Sequence, residues 1–361
     1  MKVAINGRFL SQPLTGVQRF AIELTKELLK IYSDIRILMP KASSRLDEAN
    51  SEFNCNIIEV GCFSGVIWEQ IELPIWIKKN NAFLINFGNT APILLSRQIA
   101  VIHDISFVRY PKNYSIFFRA YYRIAIPIIL RRAKYIATVS EFSKNEICGF
   151  YDVSTEKVSV IYNGVSRFFE KLKTIEKNNI NTNKYILSVS SIKPQKNFKG
   201  LIEAFNKIDD NVLELILVGD ISNKIYENET YKIDYNKKDR VKFVGRVSDK
   251  ELKELYFNAL FFVFPSFYEG FGIPPIEAQN CGLPVICSNV SSLPEVMKDS
   301  VLYCNPKDPN DIKEKIELLI NDTELRNKLR NKGIENAKNF SWKKSALLLA
   351  DIINKDIMNE K

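Results

Sequence analysis

A short segment of the chain, residues 264–278, combines two carboxylates with a glycine-rich turn. Its sequence is FPSFYEGFGIPPIEA, in which two adjacent prolines suit the first turn of a helix. Glycines let a ligand approach the backbone closely, and the N–H groups of a helix start attract anions. Glu269 in the turn and Glu277 in the first helical turn can each accept hydrogen bonds from sugar or ribose hydroxyls. The segment indicates a site for a phosphorylated, hydroxyl-rich ligand.

Two further residues could take part in the same chemistry. Lys196 precedes a predicted helix, where its ammonium group could neutralise a phosphate. His103 follows an apolar run, Gln98–Ile102, which predicts a position at the carboxyl end of a strand. Each residue also has an ordinary interpretation, as a solvated lysine or a hydrogen-bonded histidine. In the same way, Glu277 could be favoured by the helix dipole while Glu269 is solvated. For the two glutamates and His103 the residue types leave both interpretations open, whereas Lys196 taken alone is better interpreted as a solvated lysine.

The hydrophobic pattern predicts the elements that position these residues. Short apolar runs alternate with longer amphipathic ones, which is typical of βα units and a parallel sheet. A first series of predicted strands covers Lys2–Ile5, Ile35–Met39, Asn56–Glu59, Phe83–Asn86, Gln98–Ile102, Tyr135–Val139 and Val158–Ile161. A second series covers Tyr185–Val189, Glu214–Val218, Val241–Val244, Leu260–Phe264, Pro284–Cys287 and Val301–Tyr303. Helices are predicted between them, including Gly16–Ile31, Glu141–Phe150, Phe198–Lys207, Asp249–Asn258 and Asp308–Leu319.

A polar stretch at 171–184 separates the two series and predicts a linker. We therefore predict an α/β protein with two Rossmann-like, doubly wound domains, at 1–170 and 185–340, that face each other across a cleft. The C-terminal segment 341–361 has a helical pattern and no strand after it. We predict that this helix crosses back to the N-terminal domain.

Composition and charge limit the classes of function. The chain has 361 residues, 46% hydrophobic and 26% charged, which is typical of a globular protein with two domains. A formal net charge of +9 favours anionic partners such as phosphates, nucleotides or a membrane face. The single histidine excludes zinc sites built on several histidines, and the six cysteines lack a metal-binding spacing.

The same sequence features predict a location for the protein. The scattered cysteines suit a reducing compartment, and the N-terminus lacks the apolar core of a signal peptide. No apolar run approaches the roughly 20 residues needed to cross a bilayer. We expect a cytoplasmic protein, either soluble or peripheral on the inner face of the plasma membrane.

Several longer motifs point to a known family. The second half contains E-G-F-G-x-x-x-x-E-A at 269–278, CGLPV at 281–285, SLPEV at 292–296 and SVSSIKPQKNFKGLIEAF at 188–205. The first half contains TGVQR at 15–19, WEQ at 68–70 followed by LP at 73–74, and VIHD at 101–104. Together they extend over nearly the whole chain. In this pattern the sequence resembles the retaining family 4 glycosyltransferases, which have the GT-B fold.

The resemblance implies roles for residues of the C-terminal domain, which would bind the nucleotide sugar. Glu269 would contact hydroxyls of the donor sugar, and Glu277 would contact the ribose. Lys196 would neutralise the diphosphate. The sugar and diphosphate would also be held by the backbone of Gly270, Phe271, Gly272 and Ile273.

Three other positions complete the binding site that the resemblance implies. Val247 belongs to a segment, 241–247, that matches the base-pocket region. The family often has an arginine five residues before the lysine, where this chain has Ser191. Lys193 is a candidate substitute for that arginine, but as a point charge rather than a planar fork. Gly16 would lie in a loop over the phosphates.

The N-terminal domain would bind the acceptor, and the resemblance places His103 beside the donor sugar. We therefore expect His103, Lys196 and Glu269 to be the catalytic residues. Asp104, next to the histidine, could act as a base or simply hold its loop. No paired aspartates suited to Mg²⁺ or Mn²⁺ are evident at a strand end, so we expect no metal and no other cofactor.

The expected reaction is the transfer of a sugar, with retention, from a nucleoside diphosphate sugar to an acceptor hydroxyl. Within the family, the W-E-Q, I-H-D and P-x-K-N motifs look most like mannosyltransferases of O-antigen or capsule pathways. The expected donor is therefore GDP-mannose, with a UDP-sugar as the other possibility. The expected acceptor is a lipid-linked saccharide. A nucleotide-sugar epimerase or a phosphorylase on the same fold is the alternative, and a nucleic-acid-binding protein is a weaker one, so we expect no nucleic-acid partner.

The stretch 105–144 indicates a further partner. It carries eight basic residues opposed only by Glu141, with aromatic residues interleaved. Such a mixture favours the headgroup zone of an anionic membrane. The alternative is a solvated helix face whose aromatic side chains pack inward.

Overall fold

The computed structural model describes residues 2–41, 53, 56–166, 169, 185–219 and 234–358. The chain divides into two compact units. The first consists of Met1–Gly164 and Ser341–Lys361, and the second of Val165–Phe340. The linker predicted at 171–184 lies outside the described residues.

The first unit is built on a seven-stranded parallel sheet with the strand order β3-β2-β1-β4-β5-β6-β7. Its strands are β1 (Lys2–Asn6), β2 (Arg36–Pro40), β3 (Ile57–Val60), β4 (Ala82–Asn86), β5 (Gln98–Val101), β6 (Tyr135–Thr138) and β7 (Val158–Val160). Its helices begin with α1 (Gly16–Ile31), α2 (Gly65–Ile67), α3 (Leu73–Lys79), α4 (Ser106–Arg109), α5 (Ile116–Arg132) and α6 (Glu141–Tyr151). A π-helical turn, Trp68–Glu72, joins α2 to α3.

The second unit is built on a six-stranded parallel sheet with the order β10-β9-β8-β11-β12-β13. Its strands are β8 (Tyr185–Val189), β9 (Glu214–Val218), β10 (Val241–Gly245), β11 (Phe261–Phe264), β12 (Val285–Ser288) and β13 (Leu302–Cys304). Its helices are α7 (Phe198–Asn206), α8 (Asp249–Asn258), α9 (Ile273–Asn280), α10 (Leu293–Met297), α11 (Pro309–Asn321) and α12 (Thr323–Ala337).

The last described helix, α13 (Trp342–Met358), belongs to the first unit. Its Ser345 hydroxyl donates to the Tyr162 carbonyl at 2.6 Å, and the ring of Trp342 meets Phe20 of α1 edge-on at 5.7 Å between centroids. Both contacts join parts of the chain that are far apart in sequence.

Both sheets are doubly wound, so each unit is Rossmann-like. In each sheet the strand order reverses at one place, between β1 and β4 in the first unit and between β8 and β11 in the second. Ligands of open α/β sheets bind beyond the carboxyl ends of the strands at such a reversal. The residues after Asn6, Asn86, Val189 and Phe264 therefore lie where a protein of this fold class would bind a ligand.

All predicted strands are confirmed in the described residues, with ends that move by at most one residue. The apolar runs are clear because helices cover the sheets: every residue of β4, β5, β11 and β12 is buried. The predicted helices are also present. One detail was wrong: α9 begins at Ile273, so Glu277 is its fifth residue and lies in the second turn rather than the first.

Candidate active site

The turn between β11 and α9 is shaped by Gly272. This residue is the N-cap of α9 and has φ of 93°, in the left-handed region that favours glycine. A Cβ atom at this position would also lie 2.7 Å from the Leu293 side chain, which would have to move. Both observations explain why a glycine, with no side chain to cover the backbone, stands at the start of this helix.

Prolines limit which amides this helix start can use. Pro274 and Pro275 occupy its second and third positions and carry no N–H group. The backbone N–H groups nearest the helix start are therefore those of Phe271, Gly272 and Ile273. With Gly270, these are the residues whose backbone would hold the sugar and diphosphate according to the family resemblance.

Lys196 and Glu269 form an ion pair in the second unit. The Lys196 Nζ atom lies 2.7 Å from Oε1 and 2.8 Å from Oε2 of Glu269. Lys196 ends a 3₁₀ turn after β8, and Glu269 lies in the loop after β11. Because β8 and β11 are adjacent and parallel, the loops that follow them meet. The structure thus brings together two residues that are 73 positions apart in the sequence.

The backbone of Glu269 is held on both sides. Its N–H group donates to the Ser291 hydroxyl at 3.1 Å, and its carbonyl accepts from the Ser292 hydroxyl at 3.0 Å. The residue is buried, with 8% of its surface exposed. Because the backbone of Glu269 is held in place, its carboxylate needs little reorganisation to accept a hydrogen bond from a ligand hydroxyl.

Glu277 is buried in α9 and accepts a hydrogen bond from the Tyr256 hydroxyl at 3.2 Å. Tyr256 is itself fully buried in α8. The hydroxyl orients one carboxylate oxygen of Glu277, and so restricts the directions from which a ribose hydroxyl could donate to it.

The two remaining predicted residues of this unit also follow strand ends. Ser191 is exposed and lies two residues after β8, and half-buried Val247 lies two residues after β10. The loops after β8 and β9 approach closely, since a Cβ atom on Gly219 would lie 1.9 Å from the Ser190 carbonyl oxygen. All the predicted residues of the second unit are therefore at or near one edge of its sheet.

His103 and Gly16 belong to the first unit. Gly16 is exposed and begins α1. His103 is buried two residues after β5, with its Nε2 atom 2.9 Å from the Phe87 carbonyl oxygen. Because a carbonyl oxygen only accepts, this contact places the imidazole proton on Nε2. The His103 backbone N–H donates to Asn89 Oδ1 at 2.6 Å, which holds the loop.

Burial lowers the pKa of His103 below its ordinary 6.5, because the imidazolium would be desolvated; the Phe87 carbonyl and the Asp104 charge oppose this shift. The histidine of the unfolded chain is therefore protonated at a higher pH than that of the folded chain, and protonation favours the unfolded state. The contribution of neutral His103 to the free energy of unfolding is complete above about pH 6.5 and declines as the pH falls below it.

We expect the melting temperature of the wild type to fall more between about pH 7.5 and about pH 5.5 than that of His103→Asn. The chain has one histidine, so no other imidazole contributes. Thermal melts of both proteins at both pH values test this. An equal fall in the two proteins would contradict it.

A second polar cluster lies at the corresponding edge of the first sheet. Glu69, the central residue of the W-E-Q motif, contacts Asn6, Arg8 and Thr90 there. This cluster was not predicted from the sequence. A signal was present, because Asn6 and Asn86 each place an amide at the last position of a strand, directly after a run of buried apolar residues.

Within the described ranges, no group of three or more His, Cys, Asp or Glu side chains is placed so that it could hold a metal ion. The same ranges include no helix with the length and apolar character needed to cross a membrane.

Comparison with known proteins gives consistent matches. Residues 170–338 match the family described as Glycosyl transferases group 1, and residues 14–167 match Glycosyltransferase Family 4. O-antigen chain mannosyltransferase B of Escherichia coli is 29% identical over 374 residues, covering 95% of this chain and 96% of that protein. O-antigen chain mannosyltransferase RfbU of Salmonella typhimurium is 37% identical over 236 residues, covering 62% of this chain and 64% of that protein.

A solved structure supports the fold. Anabaena Alr3699/HepE, in complex with UDP and glucose, aligns with a TM-score of 0.75 at 17% identity, covering 98% of this chain and 100% of that one. This likeness confirms two Rossmann-like domains of the GT-B type. The two family matches, taken together, span both units. The chain is a glycosyltransferase that belongs to family 4, with a group 1 glycosyl transferase domain as its second half.

Proposed function

We propose that this glycosyltransferase moves mannose, with retention of configuration, from GDP-mannose to a lipid-linked saccharide of surface polysaccharide. The observation that carries the proposal is the Lys196–Glu269 pair beside the start of α9. Two relatives named as O-antigen mannosyltransferases support the choice of sugar and pathway. Retention and the lipid-linked acceptor rest on the resemblance of the motifs.

Breaking the sugar–diphosphate bond leaves negative charge on the departing phosphate and positive character on the sugar. In the proposed complex, Lys196 turns from Glu269 towards the diphosphate, where the backbone of Gly272 and Ile273 adds N–H donors. Glu269 is then released to accept hydrogen bonds from the sugar hydroxyls. The ion pair of the free protein thus holds both groups in place before the donor arrives.

The leaving group is stabilised in this proposal by protein groups, with no metal. Activity should therefore persist after dialysis against EDTA. A rate that EDTA abolishes and Mg²⁺ or Mn²⁺ restores would contradict this part of the proposal.

A thermal-shift panel of GDP-mannose, UDP-sugars and dTDP-sugars tests the donor. We expect GDP-mannose to raise the melting temperature most, because binding to the folded state stabilises it. The alternative donor is a UDP-sugar, since HepE was solved with UDP and glucose. No shift with any nucleotide sugar would overturn the proposed function. Conversion of the donor without an acceptor would instead favour an epimerase or a phosphorylase, and NMR of the product's anomeric carbon tests retention.

Replacing Glu277 with alanine should chiefly raise the KM for the donor, by about tenfold, because the ribose loses an acceptor for its hydroxyls. Steady-state kinetics with varied donor concentration measure this. Tyr256→Phe is the matched control, since it removes the hydrogen bond to Glu277 but keeps the carboxylate. A donor KM that does not change in Glu277→Ala would argue against the ribose contact.

We also propose that α5 docks on an anionic membrane. Its sequence contains no acidic residue and ends in Arg131 and Arg132. Ile116, Phe117 and Ile124 are exposed by 72%, 88% and 64%, a combination of apolar and basic side chains that suits the headgroup zone.

The aromatic residues of this stretch divide into two groups. Phe118 and Tyr122 stack at 3.9 Å between ring centroids and pack against the core of the first unit, as the alternative interpretation predicts. Phe117, in contrast, faces away from that core. Only some of the interleaved aromatic side chains are therefore available to contact a membrane.

Phe117→Ser should reduce binding to vesicles that contain anionic phospholipid by about tenfold, because an apolar anchor is lost. Co-sedimentation with anionic and with neutral vesicles measures the effect. Phe150→Ser, at a half-exposed phenylalanine of α6, is the matched control. Equal binding to both kinds of vesicle, or no effect of Phe117→Ser, would remove this proposal.

A further inference from the structure

The W-E-Q motif lies on a π-helical turn, and each of its side chains has a defined partner. The Trp68 indole donates to the Val60 carbonyl at 2.9 Å, and the Gln70 amide donates to the Ala91 carbonyl and the Tyr121 hydroxyl. π-Helical turns occur often at functional sites. The turn directs Glu69, between these two anchors, towards the carboxyl ends of β1 and β4.

Glu69 is 1% exposed and is fully engaged by donors. It accepts from Asn6 Nδ2 at 2.9 Å, from Thr90 Oγ1 at 2.9 and 3.0 Å, and from Arg8 Nη1 at 2.9 Å. A buried charge is expensive unless it is paired, and apolar residues of similar volume often stabilise a fold as well. The fold alone therefore does not require a carboxylate at this position.

Arg8 is the charged partner that reaches solvent. Its side chain is 20% exposed, against 2% for that of Glu69. Among the described residues, its guanidinium uses one nitrogen, Nη1, for Glu69. Arg8 also lines a small pocket together with Asn6, Gln12, Gly88 and Thr90. Its free volume of about 10 Å³ is room for one water molecule or one ligand hydroxyl rather than for a sugar ring.

The position of the pocket matches that of a ligand site. It adjoins the last residue of β1 and the loop after β4, where the order of the first sheet reverses. The loop after β4 also contacts His103, through the Phe87 carbonyl and the Asn89 side chain. The cluster and His103 therefore share one loop.

The charges indicate what the pocket would bind. Arg8 and Glu69 neutralise each other, so the cluster has no net charge to attract an anion. The Asn6 amide and the Thr90 hydroxyl already donate to Glu69, so the Arg8 guanidinium is the group of this cluster that can still donate to a ligand, and it suits a hydroxyl of a neutral pyranose. We propose that Arg8 binds the saccharide acceptor of this transferase and that Glu69 is its positioning residue. The identification of this saccharide as the acceptor rests on the proposed function.

Direct binding, without any nucleotide sugar, tests the inference. The probe is octyl α-D-mannopyranoside, followed by saturation-transfer NMR and calorimetry. We expect Arg8→Gln to weaken its binding at least about tenfold, and Arg8→Lys to weaken it less, since lysine keeps the charge but loses the planar fork. Arg109→Gln, which breaks an exposed ion pair with Glu146 in the same unit, should bind like the wild type.

A double variant separates binding from folding. Arg8→Gln alone leaves Glu69 buried without its cation and can lower stability, whereas Arg8→Gln with Glu69→Gln removes both charges. We expect the double variant to recover the melting temperature but not the affinity for the mannoside. Recovery of both would overturn the inference, because Arg8 would then be only a counter-ion. Absence of binding by the wild type would overturn it as well.

Failure here is distinguishable from failure of the proposed function. A protein that is stabilised by nucleotide sugars but binds the mannoside equally well with and without Arg8 contradicts only the role of Arg8. A protein that binds the mannoside through Arg8 but no nucleotide sugar contradicts only the proposed transfer reaction.

Discussion

Glu269→Ala is expected to lower the turnover of the proposed mannosyl transfer about 100-fold or more. The proposed cause is the loss of a fixed carboxylate at the reacting sugar; removal of one preorganised group of this kind typically has an effect of this size. The loss should appear in kcat with saturating donor, because the interaction strengthens as the sugar acquires positive character. The measurement is the initial rate of transfer from GDP-mannose at several donor concentrations.

Glu214→Ala is the matched control for this variant. Glu214 also pairs with a lysine, Lys242, in the same unit, but both side chains are far more exposed. Its removal should leave the transfer rate unchanged, since exposed ion pairs contribute little. A rate for Glu269→Ala within about threefold of the wild type, with an unchanged circular dichroism spectrum, would show that the assignment of Glu269 is wrong.

Lys196→Ala is expected to have a similar effect, about 100-fold or more, through the departing diphosphate. The ammonium group compensates charge that develops as the bond breaks, so its loss slows the chemical step. Lys196→Arg should retain part of the activity because arginine keeps the positive charge, although its planar guanidinium differs from the lysine ammonium in length and shape. Single-turnover rates for both variants measure the effect without interference from product release.

The double variant Lys196→Ala with Glu269→Ala tests whether the two residues contact the donor or only stabilise each other. If Lys196 and Glu269 merely support each other, removing both should do no more harm than removing one. We propose that they act on different parts of the donor, so the double variant should be slower than either single variant. Lys242→Ala, from the exposed pair, is the control for the loss of a lysine. Near-normal rates in Lys196→Ala would contradict the leaving-group role.

The strands could be predicted well because their pattern is local. Runs such as Tyr185–Val189 and Glu214–Val218 occur in the structure with the predicted bounds, since buried parallel strands need continuous apolar residues. Four of the five helices predicted with bounds also begin at the predicted residue, and the fifth begins one residue later. The prediction for Glu277 was wrong because α9 begins at Ile273, one residue before the two prolines, which places Glu277 in the second turn.

The residue pattern was enough to recognise the family, the two series of βα units and the separate residues from which a donor site could be built. These depend on residue type, spacing and local backbone preference, which a linear pattern records. Which of those residues meet is visible only in the folded chain. Lys196 reaches Glu269 because β8 lies beside β11, and Glu69 reaches Asn6 because the π-helical turn packs against the end of β1. Strand order is set by the packing of distant segments around a shared core, and no local pattern encodes it.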